Sequence, residues 1–273
     1  MMLYLKYVSI KITRNNKHLN IKLRNSMYKK LFEGKKAVFF DLDGTVVKET
    51  EELMTNAIQK VLDDIEVSYI NARDYKLYGY PISESWKVIK ATYGHAVKKP
   101  LDELIDLTEK AYINIINNSK IEPTEGFWDL IYELKEKKSC KLALLTNTKR
   151  SIADVVINKL DIKDAFGLII CGDEVKRIKP SPEIYRKALK SFKLKPKEAL
   201  AFEDSPVGVE SSIRAKVDTI VIWDRKTPKY LFRKGIIYHF EDFSPLPGNL
   251  EEDYTELMRK KGNKAQRDQE KAL

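Results

Sequence analysis

Five short runs, "AVFF" (37–40), "KLALLT" (141–146), "FGLIIC" (166–171), "ALAFE" (199–203) and "TIVIW" (219–223), are apolar with no polar alternation. A strand with one face in water alternates, so strands of this kind are covered on both faces, as in a parallel sheet flanked by helices. The segments between the later runs have the matching pattern. "SIADVVINKL" (151–160), "PEIYRKALKSF" (182–192) and "PVGVESSIRA" (206–215) each read as an amphipathic crossover helix. Strand and helix in alternation predict an α/β fold, a doubly wound (Rossmann-like), mostly parallel sheet.

The rhythm breaks once. Between the first run and the second lie about a hundred residues, far more than one crossover needs. Met54, Ile58, Val61, Leu62 and Ile65 mark one face of a first helix there, and "SESWKVIKATYG" (83–94) and "LDELIDLTEKAYINIINN" (101–118) supply two more. A helix over 125–138 then leads back to the sheet. The expected organisation is a basic N-terminal extension (1–36), an α/β core (37–47 and 123–250), an inserted α-helical cap domain (48–122) and a basic C-terminal tail (251–273).

The net charge of +10 belongs to the ends. Residues 1–36 hold ten Lys or Arg and one acid, and 259–273 hold six and two, which leaves 37–258 at −3. The first segment has two readings. It is either an arm for nucleic acid or anionic membrane lipid, or an extension outside function with Met27 as the true start. The absence of a recognisable binding motif favours the second. No apolar run approaches the roughly 18 residues of a membrane helix, and no compact apolar leader is present, so a cytoplasmic protein is expected. Cys140 and Cys171 stand far apart, which fits two partly buried thiols. His18, His95 and His239 are scattered and suggest neither catalysis nor metal binding.

The chemistry is expected at the strand ends, because ligands of an open parallel sheet bind beyond the carboxyl ends of the strands. "AVFFDLDGT" places Asp41 and Asp43 there, followed by Gly44, which is free to take a shape other residues resist. Two acids this close call for a cation, and a hard one with oxygen ligands such as Mg²⁺ suits them. A DxDG alone leaves a solvated turn or a calcium loop open. Three further junctions narrow the choice: Thr146-Asn147 after the second run, Lys179 before Pro180 and a helix start marked by Ser181-Pro182, and Glu203-Asp204 before a Ser-Pro helix start. Together they collect carboxylates, a hydroxyl and one cation on one edge of the sheet.

With these junctions in this order, the sequence resembles the haloacid dehalogenase-like hydrolase superfamily. The resemblance is to the branch with a helical cap after the first motif, which includes the phosphoglycolate phosphatases and β-phosphoglucomutases. Asp41-Leu42-Asp43-Gly44-Thr45, Thr146-Asn147, Lys179 and Glu203-Asp204-Ser205 stand for its four motifs, and "GYP" (79–81) for a cap signature. The resemblance covers about 37–225.

It implies that Asp41 is a nucleophile forming an aspartyl-phosphate and that Asp43 exchanges protons with the leaving group and then with water. Thr146, Asn147 and Lys179 are implied to bind the phosphoryl oxygens. Asp41, the Asp43 carbonyl and Asp204 are implied to hold Mg²⁺, with Glu203 a direct or water-mediated ligand. Asp43 argues against dehalogenation. Carbon–phosphorus cleavage needs a cap lysine, and Lys60, Lys76, Lys87 and Lys90 all read as solvated. Arg73, Lys76 and Tyr78 are candidates for contacting a substrate anion. Three departures from the family pattern stand out: Ile178 before the lysine, Lys216 where a glycine normally ends a helix, and "VVKETEE" after the first motif. The implied function is a Mg²⁺-dependent phosphatase acting on a small phosphorylated metabolite. The alternatives are a phosphomutase and a non-catalytic protein that works through its basic arm.

Overall fold

The computed structural model describes residues 27–75, 81–232 and 235–246. Residues 34–245 make one compact unit. Of the other unit, residues 27–32 are helical, with the Tyr28 and Phe32 rings 4.6 Å apart. The expected arm over 1–26, the tail over 251–273, His18, Lys76 and Tyr78 lie outside the described residues. No helix among the described residues is long and apolar enough to cross a membrane.

Six strands form one sheet: β1 (Ala37–Phe40), β2 (Lys141–Leu145), β3 (Leu168–Ile170), β4 (Ala199–Glu203), β5 (Asp218–Ile222) and β6 (Ile236–Phe240). Their order is β3-β2-β1-β4-β5-β6, and every neighbouring pair is parallel. The chain winds outward from β1 through β2 to β3, then returns to β4 on the other side of β1. The switch point therefore lies between β1 and β4, where an open α/β sheet takes its ligands.

The sheet is accompanied by α1 (Thr50–Asp64), α2 (Ile82–Tyr93), α3 (Leu101–Asn118), α4 (Phe127–Tyr132), α5 (Arg150–Leu160), α6 (Glu183–Phe192) and α7 (Pro206–Arg214). Every residue of β1 and β4 is buried, which is why their sequences do not alternate. On one face Phe39 packs with Ala143, Ala201 and, from α6, Ile184, Tyr185 and Ala188. On the other, the Phe40 ring stacks 5.2 Å from Phe202 and meets Phe127, Phe166 and Phe243 at 6.1, 5.9 and 5.8 Å. Each such fully buried ring contributes about 1.5–3 kcal/mol.

Between β1 and β2, α1, α2 and α3 enclose a cluster of their own that includes Ile58, Val61, Leu62, Trp86, Ile89 and Leu104. The Trp86 indole donates to Thr108 Oγ1 at 3.0 Å and joins α2 to α3.

The structure departs from the sequence reading in three elements. β6 was not expected, because "IIYHF" lies at the sheet edge, partly in water, and is not a continuous apolar run. The helix expected over 125–138 is α-helical only over Phe127–Tyr132. It opens on Gly126 at φ 76° and passes into a π-helical turn over Glu133–Lys137. Helix α6 starts at Glu183, not at Ser181-Pro182. Residues 178–181 instead form a turn, with Ser181 N–H on Ile178 C=O at 2.9 Å and a cis Lys179–Pro180 bond.

Candidate active site

Asp41 follows β1 directly, and its N–H still bonds the Phe202 carbonyl of β4 at 3.0 Å, so the ladder fixes this carboxylate. The next residues turn sharply. Val46 and Val47 N–H both bond the Leu42 carbonyl, and Gly44 N–H bonds Val47 C=O. Gly44 has φ +81°, and a Cβ placed on it would lie 2.0 Å from Asp204 Oδ2. Glycine is thus needed twice over, for the left-handed backbone and for the close approach of the β4 loop.

Lys179 joins the strand ends. Its ammonium donates to Asp41 Oδ1 at 2.5 Å, to Glu203 Oε1 at 2.7 Å and to the Leu145 carbonyl at 2.7 Å. The side chain is 2% exposed. Burial alone would lower its pKa, but Asp41 and Glu203 outweigh burial and push it up. Burial also pushes the Asp41 carboxyl well above the usual carboxylate range; Lys179 opposes this shift, while Glu203 and Asp43 reinforce it. Asp204 is raised likewise, by burial first and then by the charges of Asp41, Glu51 and Glu203.

Asp43 has partners of its own. Its Oδ2 accepts from Thr148 Oγ1 at 2.7 Å and Thr146 Oγ1 at 3.4 Å, and Thr146 Oγ1 in turn accepts from Thr148 N–H at 3.0 Å. The two carboxylates of the DxD pair therefore have different surroundings, one fixed by an ammonium and one by hydroxyls. Asn147 holds Lys179 by its backbone: Lys179 N–H donates to Asn147 Oδ1 at 2.8 Å, and Asn147 Nδ2 to Lys179 C=O at 3.3 Å. Isoleucine before Lys179 has not displaced the amine.

Asp41, Glu203 and Asp204 present oxygens that all lie within 4.8 Å of one another, a group able to hold a metal ion. The donor set is all oxygen, as a hard cation requires. Glu203 Oε2 is buried without a hydrogen-bond partner, a costly state that a cation would relieve. The residues present fit the ion.

All seven expected side chains, Asp41, Asp43, Thr146, Asn147, Lys179, Glu203 and Asp204, meet at this edge of the sheet. Arg73 does not: it is exposed and pairs with Glu52 at 3.4 Å. Lys60 and Lys87 pair with Asp64 and Glu84 on their own helices, and Lys90 donates to the Val97 and Lys99 carbonyls. Sequence reasoning missed Thr148 and Tyr185, whose hydroxyl donates to Glu203 Oε1. Thr148 stands two residues after Thr146, a spacing that was available as a signal. Tyr185 reads as core from the α6 pattern, and nothing in sequence gives its direction.

A cavity of about 160 Å³ opens over Asp41 and Asp43. Helices α1 and α3 roof it, with Glu51, Met54, Glu109 and Tyr112 among its walls. The strand ends, an ammonium between carboxylates and a small roofed cavity make a site for an anionic group on a small molecule.

Comparison with known proteins agrees. A phosphorylated carbohydrates phosphatase of Thermotoga maritima is 28% identical over 203 residues, covering 74% of this chain and 92% of its own. A phosphoglycolate phosphatase of Rhodobacter capsulatus is 28% identical over 228 residues, covering 79% and 96%. The crystal structure of CbbY from Rhodobacter sphaeroides in complex with phosphate shares the fold, with a TM-score of 0.64 at 24% identity over 79% of this chain and 97% of that one. The family model described as haloacid dehalogenase-like hydrolase matches residues 38–222, from β1 through β5 and the helices between them, and the chain belongs to that family.

Proposed function

We propose that the protein is a phosphoric monoester hydrolase that removes the phosphoryl group from a small phosphorylated metabolite through an aspartyl-phosphate on Asp41. The observation that carries this reading is the placement of Lys179 between Asp41 and Glu203, with Asp43 beside them on separate hydroxyl partners. An Asp41 oxygen attacks phosphorus as the ester P–O bond breaks. Asp43, reached by Thr146 and Thr148, gives the leaving oxygen its proton. Asp43 then takes a proton from water, whose oxygen displaces Asp41 from phosphorus. Repulsion between the phosphoryl group and Asp41 is the main obstacle, and the buried Lys179 ammonium lowers it in a medium where charge is poorly screened.

Mg²⁺ held by Asp41, Asp204, the Asp43 carbonyl and Glu203 would supply further positive charge to the phosphoryl oxygens. The Thr146 hydroxyl and the Asn147 amide would orient those oxygens. The segment 48–122 would act as a cap that keeps bulk water from the acyl phosphate. The phosphatase activities of the Thermotoga and Rhodobacter relatives support the reading.

Phosphate release from a panel of phosphorylated metabolites with Mg²⁺, compared between wild type and Asp41→Asn, tests it. The substitution keeps the shape and removes the nucleophile. A fall of at least about a thousandfold is expected. Hydrolysis that survives Asp41→Asn would sink the mechanism. Transfer of phosphate within a sugar instead of to water would identify a mutase.

A further inference from the structure

The roof of the cavity carries carboxylates of its own, Glu51 and Glu109. Helix α3 turns Ile105, Glu109 and Tyr112 into it, positions four and three apart on one helix face. Glu109 lies across from Lys149, the residue that opens α5, and the two pair at 2.5 Å, with the Glu109 side chain 16% and the Lys149 side chain 52% exposed. The helix that carries Glu109 is anchored to α5 at its end. Lys159, in the last turn of α5, donates to the Ile116 and Asn117 carbonyls at 2.6 and 2.8 Å and so ties down the end of α3.

The cations that line the cavity are thus already engaged. Among the described residues they are Lys149, paired with Glu109, and Lys179, whose hydrogen bonds go to Asp41, Glu203 and Leu145. Glu51 adds a second carboxylate to the roof, and its charge reaches both Asp204 and Tyr112. A substrate bound by its phosphoryl group on the floor would direct its other end at these carboxylates. They accept hydrogen bonds from hydroxyls and repel a second anion.

We propose that Glu109, paired with Lys149 in the roof of the cavity, selects phosphate esters of small neutral polyols and rejects substrates that carry a second anionic group. This rests on the phosphatase reading and deepens it. Selection here works by repulsion as much as by attraction: the carboxylate disfavours the wrong ligand and occupies the lysine that would otherwise bind it.

The test compares kcat/KM for glycerol phosphate, phosphoglycolate and fructose bisphosphate in wild type, Glu109→Gln and Lys149→Gln. p-Nitrophenyl phosphate serves as a substrate that reports the chemistry alone. Wild type should favour glycerol phosphate over both anionic substrates by at least about tenfold. E109Q keeps the shape but removes one of the two roof carboxylates and frees Lys149, so this preference should shrink about tenfold or reverse, mainly through KM. K149Q should leave the ranking as it is or sharpen it. Wild type preferring phosphoglycolate or the bisphosphate, or E109Q leaving the ratio unchanged, would overturn the proposal. Collapse of an anion preference in K149Q would overturn it too, by making Lys149 the receptor. If E109Q does not fold, the wild-type ranking still decides. No phosphate release from any of the four compounds would instead defeat the phosphatase reading itself, whereas Asp41-dependent release with the wrong ranking would defeat only the selection by Glu109.

Discussion

Lys179 compensates two carboxylates at once, and removing it should show how costly they are when left alone. Its ammonium lies between Asp41 Oδ1 and Glu203 Oε1 with almost no access to water. Lys179→Met keeps the stem and deletes the charge, leaving both acids buried without a counter-ion. Breaking a buried pair in this way costs about 3–5 kcal/mol, because the surviving charge is not resolvated. Urea unfolding near neutral pH, without divalent cations, should show a loss of that order. The loss should shrink as pH falls and Asp41, whose carboxyl burial pushes up, takes up its proton. An unchanged midpoint would mean that the Lys179 charge is not what holds this cluster together. At this scale the sequence was informative about identity and silent about direction. Lys179 was marked by its place before Pro180, yet its bond to the Leu145 carbonyl was not readable. Asn147 was expected to act through its amide, and its side chain turns out to hold the Lys179 backbone. Loop side chains have no periodicity from which an orientation can be read.

Four of the described helices are followed by a left-handed residue that is not glycine. After α1, α5, α6 and α7 the left-handed position is taken by Glu66 (φ 62°), Asp161 (φ 53°), Lys193 (φ 57°) and Lys216 (φ 63°). Each is followed by an apolar residue whose N–H reaches back: Val67 to Leu62, Ile162 to Ile157, Leu194 to Leu189 and Val217 to Ser212. This is the Schellman closure, with its hydrophobic contact supplied by the apolar residue. A glycine-based reading of helix ends therefore misses these four, and the legible signal at them is a charged residue followed by an apolar one. Lys216 alone was singled out in sequence, as a lysine in a glycine place, and it does adopt the left-handed shape. A left-handed residue with a Cβ costs about 1–2 kcal/mol, part of which glycine gives back through its freer unfolded chain. Lys193 and Lys216 are exposed, so little packing is lost with their side chains. Lys193→Gly and Lys216→Gly should each raise unfolding free energy by about 0.5–1 kcal/mol, and the two should add. Urea midpoints would show it, with kcat/KM unchanged. A fall in either midpoint would mean that the lysine stem packs more than its exposure indicates. Strands were legible on the same physical grounds wherever they are buried on both faces, and β6 was lost because it is not.

At the scale of the whole molecule, the winding of the sheet gathers its acids at one end. Because β1 and β4 are neighbours but distant in sequence, Asp41 and the Glu203-Asp204 pair come together only when the sheet is complete. The cluster is therefore absent from the unfolded chain, and its protonation is coupled to folding. Asp41 and Asp204 are raised well above the ordinary range, by burial first and then by neighbouring carboxylates, Glu203 in both cases. An unfolded aspartate titrates near about 3.9, so above that pH the unfolded chain releases protons that the folded one still holds. The sign follows: the contribution of these groups is full below the unfolded value and is lost as pH rises through the raised folded values. In EDTA, Tm should accordingly fall as pH rises from about 4 upward. A divalent cation binds the folded cluster and not the unfolded chain, and it displaces the same protons, so Mg²⁺ should stabilise more at higher pH. At a hundred times its dissociation constant the gain is about 2.7 kcal/mol. The curves with EDTA and with Mg²⁺ should diverge with pH, and Asp204→Asn should bring them together by removing one ligand and one of the repelling charges. Parallel curves in the wild type would mean that the cluster is balanced by Lys179 alone and has no need of a metal.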